Sequence, residues 1–144
     1  MPDDTKAPSI LLVEDSEDDV FFFNRALKRS GTACSLHYVT NGDEAVNFLR
    51  AANKTAGHPF PRLIFLDLKM PILNGFEVLN WMNTQSFREE VQVIVLSGSD
   101  QQGDKERAAE LGASGYLVKP VTAADLSRHL QGICPATAES GANS

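Results

Sequence analysis

Leu63-Ile64-Phe65-Leu66-Asp67 is four apolar residues closed by an acid. Three other runs have the same form. Ile10-Leu11-Leu12-Val13 meets Glu14-Asp15, Val93-Ile94-Val95-Leu96 meets Ser97, and Tyr116-Leu117-Val118 meets Lys119-Pro120. Continuous apolar runs of this length are the pattern of strands buried on both faces, as in a parallel sheet. Parallel strands put their C-terminal ends on one edge, and ligands of open α/β sheets bind just outside that edge. Carboxylates, a hydroxyl and an ammonium then meet there, a donor set suited to a divalent cation and a phosphoryl group.

Between these runs lie helical patterns. Ser16 caps a helix from Glu17 to about Ser30, closed by Gly31. Leu36–Val39 reads as a second strand, followed by a helix from Asp43 to about Ala52 with Ala45, Val46 and Leu49 on one face. Pro71 and Asn74-Gly75 break the chain before a helix from Phe76 to about Asn83. Val91–Leu96 is the fourth strand, and Asp100 or Asp104 opens a helix that Gly112 closes. Gly115–Val118 is the fifth strand, and Thr122 caps a last helix from Ala123 to about Gln131. The alternation predicts an α/β fold: a doubly wound, parallel, five-stranded (βα)5 sheet in the order 2-1-3-4-5. The switch point then falls between strands 1 and 3, which end in Glu14-Asp15 and Asp67.

The whole chain has 144 residues, 42% of them hydrophobic and 22% charged, with a net charge of −6. This fits one globular domain. The acidic balance argues against a nucleic-acid footprint, which needs clustered Lys and Arg. No run reaches the length of a membrane span, and Met1 to Ser9 lacks the apolar stretch of a signal peptide. A cytoplasmic protein is expected. Positions 1–8 read as a flexible N-terminus, 9–131 as the domain, and 132–144 as a disordered tail, Pro135–Ser144 being small and polar. Cys34 and Cys134 have no metal spacing and no disulfide framework, and both read as free thiols. His37, His58 and His129 read as surface residues and Trp81 as packing of the third helix. The Asn53–Arg62 loop lies at the opposite end of the sheet from the site. Acids at Glu17, Asp18 and Asp19 suit a solvated helix N-terminus.

The strand-end residues resemble the receiver domains of two-component response regulators over roughly Ser9 to Leu130. The resemblance rests on Val13-Glu14-Asp15, Leu66–Pro71 (LDLKMP) with Asn74-Gly75, Ser97-Gly98, and Gly115–Pro120 (GYLVKP). It implies a flavodoxin-like fold and a signalling protein rather than an enzyme. The long loop before strand 3 and the lack of a following module look similar to stand-alone regulators that partner bacterial phytochromes and other sensor kinases. By the resemblance, Asp67 accepts the phosphoryl group and forms an acyl phosphate, a bond a carboxylate can make as a nucleophile. Mg²⁺ neutralises the approach of anion to anion, which at about 4 Å costs roughly 4 kcal/mol at an effective dielectric near 20. Its ligands are Asp15, Asp67 and the carbonyl of Lys69. Glu14, where family members often carry Asp, is the fourth candidate, through a water or directly. Lys119 reaches the acceptor carboxylate and then the phosphoryl oxygen, and its bond to Pro120 is cis in the family.

Ser97 matches the hydroxyl that donates to the phosphoryl oxygen, and Tyr116 the aromatic switch. The implied mechanism draws Ser97 and its loop inward, lets Tyr116 rotate in, and changes the surface of helix 4, strand 5 and helix 5. Moving such a switch from 1:99 to 99:1 takes about 5.5 kcal/mol of differential stabilisation. Phe21-Phe22-Phe23 cannot all face one core, since successive helical residues point about 100° apart. Val20, Phe23 and Leu27 share the inner stripe, with Phe22 and Ala26 flanking it. Phe21 and Phe22 are therefore expected to help dock a sensor histidine kinase or phosphotransfer protein, which in this family binds helix 1; a homodimer is left open. A haloacid-dehalogenase-type phosphohydrolase would carry a second Asp where Lys69 stands, and a flavodoxin-like cofactor module would need a phosphate cradle where Glu14–Asp18 are acidic. A receiver that takes no phosphate is opposed by the intact Asp15, Asp67, Ser97 and Lys119.

Overall fold

A computed structural model describes residues 8–54, 60–70 and 73–135. The strands are β1 (Ser9–Val13), β2 (Ser35–Val39), β3 (Leu63–Asp67), β4 (Gln92–Ser97) and β5 (Gly115–Val118). The helices are α1 (Glu17–Arg29), α2 (Gly42–Lys54), α3 (Gly75–Met82), α4 (Gln102–Glu110) and α5 (Ala123–Leu130), with a 3-10 turn at Arg88–Glu90 before β4. All strand pairs are parallel, in the order β2-β1-β3-β4-β5. The predicted topology is the one observed.

Side chains alternate across a strand, so each buried run feeds two cores. Ile10, Leu12, Phe65, Ile94 and Leu96 pack with Phe23, Leu27, Leu126 and Leu130 under α1 and α5. Leu11, Val13, Ile64, Leu66 and Val93 pack with Leu49, Val78, Leu79 and Met82 under α2 and α3. That two-sided burial is why Ile10–Val13, Leu63–Leu66 and Val93–Leu96 are apolar throughout. Register brings the ends together: Val13 lies beside Leu66, Asp67 beside Leu96, and Ser97 beside Val118.

The caps mostly follow the sequence. Ser16 accepts from the Asp19 N–H at 3.3 Å, and Thr122 forms a capping box with Asp125. Asn74 and Glu77 form another at α3. The expectation for α4 is corrected: neither Asp100 nor Asp104 caps it. Gln101 holds that position without a side-chain hydrogen bond, Asp100 pairs with Lys105, and Asp104 lies in the first turn.

Three further expectations change. Cys34 and Cys134 are a disulfide, with Cα atoms 5.7 Å apart, because the chain leaving α5 returns beside the start of β2. The tail expected from 132 is packed as far as Pro135: Cys134 is buried, and the Ala33 N–H donates to the Pro135 carbonyl at 2.7 Å. His37 and His129 are half-buried rather than on the surface. The His37 ring tilts against Phe48, and burial pulls the His129 pKa down. Trp81 packs as expected, 6.0 Å from Phe87 with Arg50 over its ring. His58, Pro71, residues 55–59 of the Asn53–Arg62 loop, positions 1–7 and positions 136–144 lie outside the described residues. Arg62 itself hydrogen-bonds Ser9 and Gln92, at the strands' N-terminal ends. Among the described residues, no helix is long and apolar enough to cross a membrane.

Candidate functional site

Asp67 ends β3, and its carboxylate is almost wholly buried, at 3% exposure. Its Oδ1 accepts from the Lys69 N–H at 3.3 Å, in the turn that follows the strand. Its Oδ2 lies 3.4 Å from the Lys119 ammonium. Glu14 leaves β1 still paired to β2, its N–H donating to the Val39 carbonyl at 3.0 Å, and its side chain turns inward at 1% exposure. Glu14 Oε2 accepts from the Ser16 N–H at 3.3 Å, and Oε1 from Lys119 at 3.0 Å. Asp15 is exposed at the rim. Glu14, Asp15 and Asp67 each place a carboxylate oxygen within 4.8 Å of the others. An all-oxygen cluster of this size fits a hard divalent cation, which takes carboxylates, carbonyls and waters.

The electrostatics follow from burial against pairing. Desolvation is the largest influence on Glu14; the Lys119 hydrogen bond opposes it and the Asp67 charge adds to it, leaving the pKa raised to about 7. Burial alone would pull Lys119 down. Hydrogen bonds to Asp19 and Glu14, with the charges of Asp67 and Glu14, outweigh it and raise the pKa, so this lysine stays an ammonium.

Lys119 leaves β5 with its N–H on the Ser97 carbonyl at 2.7 Å, and the Lys119–Pro120 bond is cis. Ser97 is buried, and its Oγ accepts from the Ser99 N–H at 3.0 Å. The Ser99 carbonyl in turn accepts from the Tyr116 hydroxyl at 2.9 Å. The loop after β4 is thus held at one residue by both side chains. Lys69 is exposed, on an open groove lined by Asp15, Met70, Asn74 and Phe76.

Of the expected residues, the structure gathers Glu14, Asp15, Asp67, Lys69, Ser97 and Lys119 at one edge. Phe23 is buried against Phe65, while Phe21 and Phe22 stand 61% and 49% exposed on α1. Phe22 shares a small cavity with Asp19, Lys119 and Pro120. The residue the sequence reading missed is Asp19. It is not merely a solvated helix-end acid, because its Oδ2 accepts from Lys119 at 2.9 Å, the shortest contact that ammonium makes. One signal could have found it: an acid three residues past the N-cap of the helix leaving β1 lies over the strand ends.

A family model described as the response regulator receiver domain matches residues 10–131. The response regulator Rcp1 of Synechocystis sp. is 34% identical over 134 residues, covering 92% of this chain and 91% of its own. Its Mn²⁺-bound crystal structure superposes with a TM-score of 0.70, over 88% of this chain and 91% of that one. The bacteriophytochrome response regulator RtBRR is 30% identical, with a TM-score of 0.76, covering 88% of this chain and 77% of its own. The phosphorylated cyanobacterial phytochrome response regulator RcpA is 31% identical, with a TM-score of 0.71, over 88% and 90% of the two chains.

Proposed function

Since this chain belongs to the response regulator receiver family, we propose that it takes a phosphoryl group on Asp67 from a sensor histidine kinase or phosphotransfer protein. Relatives of the stand-alone type are signalling proteins rather than enzymes. The observation that carries the reading is Asp67 buried at a sheet edge between an ammonium at 3.4 Å and two further carboxylates. One Asp67 oxygen attacks phosphorus as the bond from phosphorus to the donor histidine breaks, and the imidazole leaves with the electron pair. Glu14, Asp15, Asp67 and the Lys69 carbonyl would hold Mg²⁺, which would supply positive charge where two anions meet. Lys119 offers a point charge to the incoming phosphoryl oxygens. The buried setting of Asp67 keeps bulk water off the acyl phosphate.

The switch runs through the loop after β4. Ser97 Oγ is turned to Ser99 in this conformation, and donating to a phosphoryl oxygen reorients it. The Ser99 carbonyl that holds the Tyr116 hydroxyl then moves with the loop, and the ring is released to repack. The α4–β5–α5 surface changes as a result. Phe21 and Phe22, beside the site on α1, form the apolar part of the docking surface for the donor, and a homodimer of this chain is compatible with the exposed α4–β5–α5 face.

Incubation with phosphoramidate and Mg²⁺ gives one phosphoryl group labile to both acid and base, found on Asp67 by borohydride trapping. Asp67→Asn abolishes it; retention of labelling in that variant rejects the acceptor assignment. Phe21→Ala and Phe22→Ala slow transfer from the cognate kinase while phosphoramidate labelling is unchanged, and equal transfer rates reject the docking surface.

A further inference from the structure

Lys119 carries three N–H donors and faces three carboxylates. Its two hydrogen bonds go to Asp19 Oδ2 at 2.9 Å and Glu14 Oε1 at 3.0 Å, while Asp67 Oδ2 stands further off at 3.4 Å. The residue nearest the ammonium is therefore not part of the cation cluster, and it comes from another element: the first turn of α1. We propose that Asp19 is a positioning residue that holds Lys119 away from Asp67 until a phosphoryl group arrives. This deepens the reading of Asp67 as the acceptor and rests on it.

The three acids are not equal partners. Glu14 has a side chain 2% exposed, so a broken pair there leaves a buried acid uncompensated. The Asp19 side chain is 37% exposed and is rehydrated at little cost when its partner leaves. A phosphoryl group on Asp67 adds negative charge on the far side of Lys119, and Asp19 is the contact that yields. Before that moment Asp19 draws the ammonium outward, leaving the Asp67 and Glu14 oxygens more open to a divalent cation. The helix fixes the tether, since the Asp19 N–H is itself held by Ser16 Oγ.

Neutralising Asp19 then has two opposite effects. Lys119 moves onto Glu14 and Asp67 and competes harder with the cation, so Mg²⁺ binding weakens. The same movement presents the ammonium to the incoming phosphoryl group, so labelling at saturating Mg²⁺ speeds up. Each change is expected at about two- to fivefold, the scale of one partly exposed ion pair. The experiment compares wild type with Asp19→Asn, Asp19→Glu and Asp18→Asn. Mg²⁺ affinity is measured by calorimetry and the rate with phosphoramidate at saturating Mg²⁺. The expected result is a weaker Mg²⁺ affinity with a faster rate in Asp19→Asn, and recovery of both in Asp19→Glu. Asp18→Asn, the same charge change at an exposed neighbour, moves neither.

If Asp18→Asn matches Asp19→Asn, the effect is bulk charge and the proposal is overturned. A rate and an affinity that fall together, or stay at wild-type values, also overturn it. Asp19→Ser repeats the charge loss should the Asn variant fold poorly. Asp67→Asn is labelled in parallel: if it still takes phosphate, the acceptor reading is what fails, and the calorimetry still decides whether Asp19 tunes the cation site.

Discussion

At Gly75 the first position of α3 lies against the peptide that follows the acceptor strand. A Cβ there would sit 2.5 Å from the Asp67 carbonyl oxygen and 2.8 Å from the Leu68 Cα. Both are backbone atoms and cannot swing away, so the β3–α3 turn itself must move. Gly75→Ala is expected to cost about 1–3 kcal/mol, the range for overpacking a tight site. It also displaces the Asp67 and Lys69 backbone. A lowered urea midpoint together with weakened Mg²⁺ binding is the expected pair of results, and unchanged Mg²⁺ affinity would show the turn relaxing away from the site. Tyr116 makes a gentler case. Tyr116→Phe deletes the hydrogen bond to the Ser99 carbonyl, worth about 0.5–1.5 kcal/mol. The ring keeps its packing near Val95 and Ala108. Amide exchange should rise in the loop after β4, and no change there would remove the loop from any coupling to Tyr116. Both residues were readable as motif positions. What they touch was not, because Asp67, Ser99 and Tyr116 meet only once the strands are in register.

Among the helices, α4 differs in how it is held. α3 and α5 start with reciprocal capping boxes, and α1 with a Ser cap. α4 starts at Gln101 with no side-chain bond to its free N–H groups, and Ala108 is its one buried residue. Helix stability in a protein comes mostly from packing an apolar face, so α4 belongs to the low-stability end of the structure. The face expected to change on phosphorylation is thus the one held least firmly. Native-state exchange should show α4 amides opening before those of α1, α3 and α5; protection equal to α5 would contradict this. Gln101→Ser should add about 0.5–1 kcal/mol by supplying the missing acceptor, and should slow that opening. The sequence offered two acids near this helix start, and both were plausible caps. The choice failed because Asp100 turns to Lys105, five residues on in the first turns of the same helix, instead of back onto the free N–H groups.

Over the whole molecule, legibility followed the range of the interaction. The three central strands β1, β3 and β4 are buried on both faces and had to be written as nearly continuous apolar runs, while β2 and β5 at the edges are partly exposed, so the alternation of strands with helices completed the sheet, its order and its switch point. The acids, hydroxyl and lysine stood at strand ends and came along with the topology. Asp19 and the cysteines escaped because each acts across 100 residues of chain, on a partner chosen by how α1, β2, β5 and α5 lie together. The Cys34–Cys134 link is the longest covalent loop the fold closes, joining the start of the edge strand β2 to the segment after α5. Its effect on stability is felt mainly in the unfolded chain. Cross-linking residues this far apart removes loop entropy worth about 4.7 kcal/mol in the chain-entropy model, of which about 2–4 kcal/mol is usually realised. Cys134 belongs to the buried core with Leu130 and Ala26, whereas Cys34 is half-buried and packs against its margin, so removing Cys34 costs the smaller packing loss. Cys34→Ser is therefore the cleaner probe of the cross-link. Its urea midpoint should fall by an amount equivalent to about 2–4 kcal/mol relative to the oxidised protein, and should match that of wild type in reducing agent. A wild type whose midpoint ignores reducing agent, or which shows two titratable thiols after mild oxidation by a low-molecular-weight disulfide, would place the link outside the stable fold. The site should respond little, since the disulfide caps the edge of the sheet while Asp67 lies beyond β1 in its centre. Equal phosphoramidate labelling with and without reducing agent is the outcome that separates a fastening of the fold from a control on its chemistry.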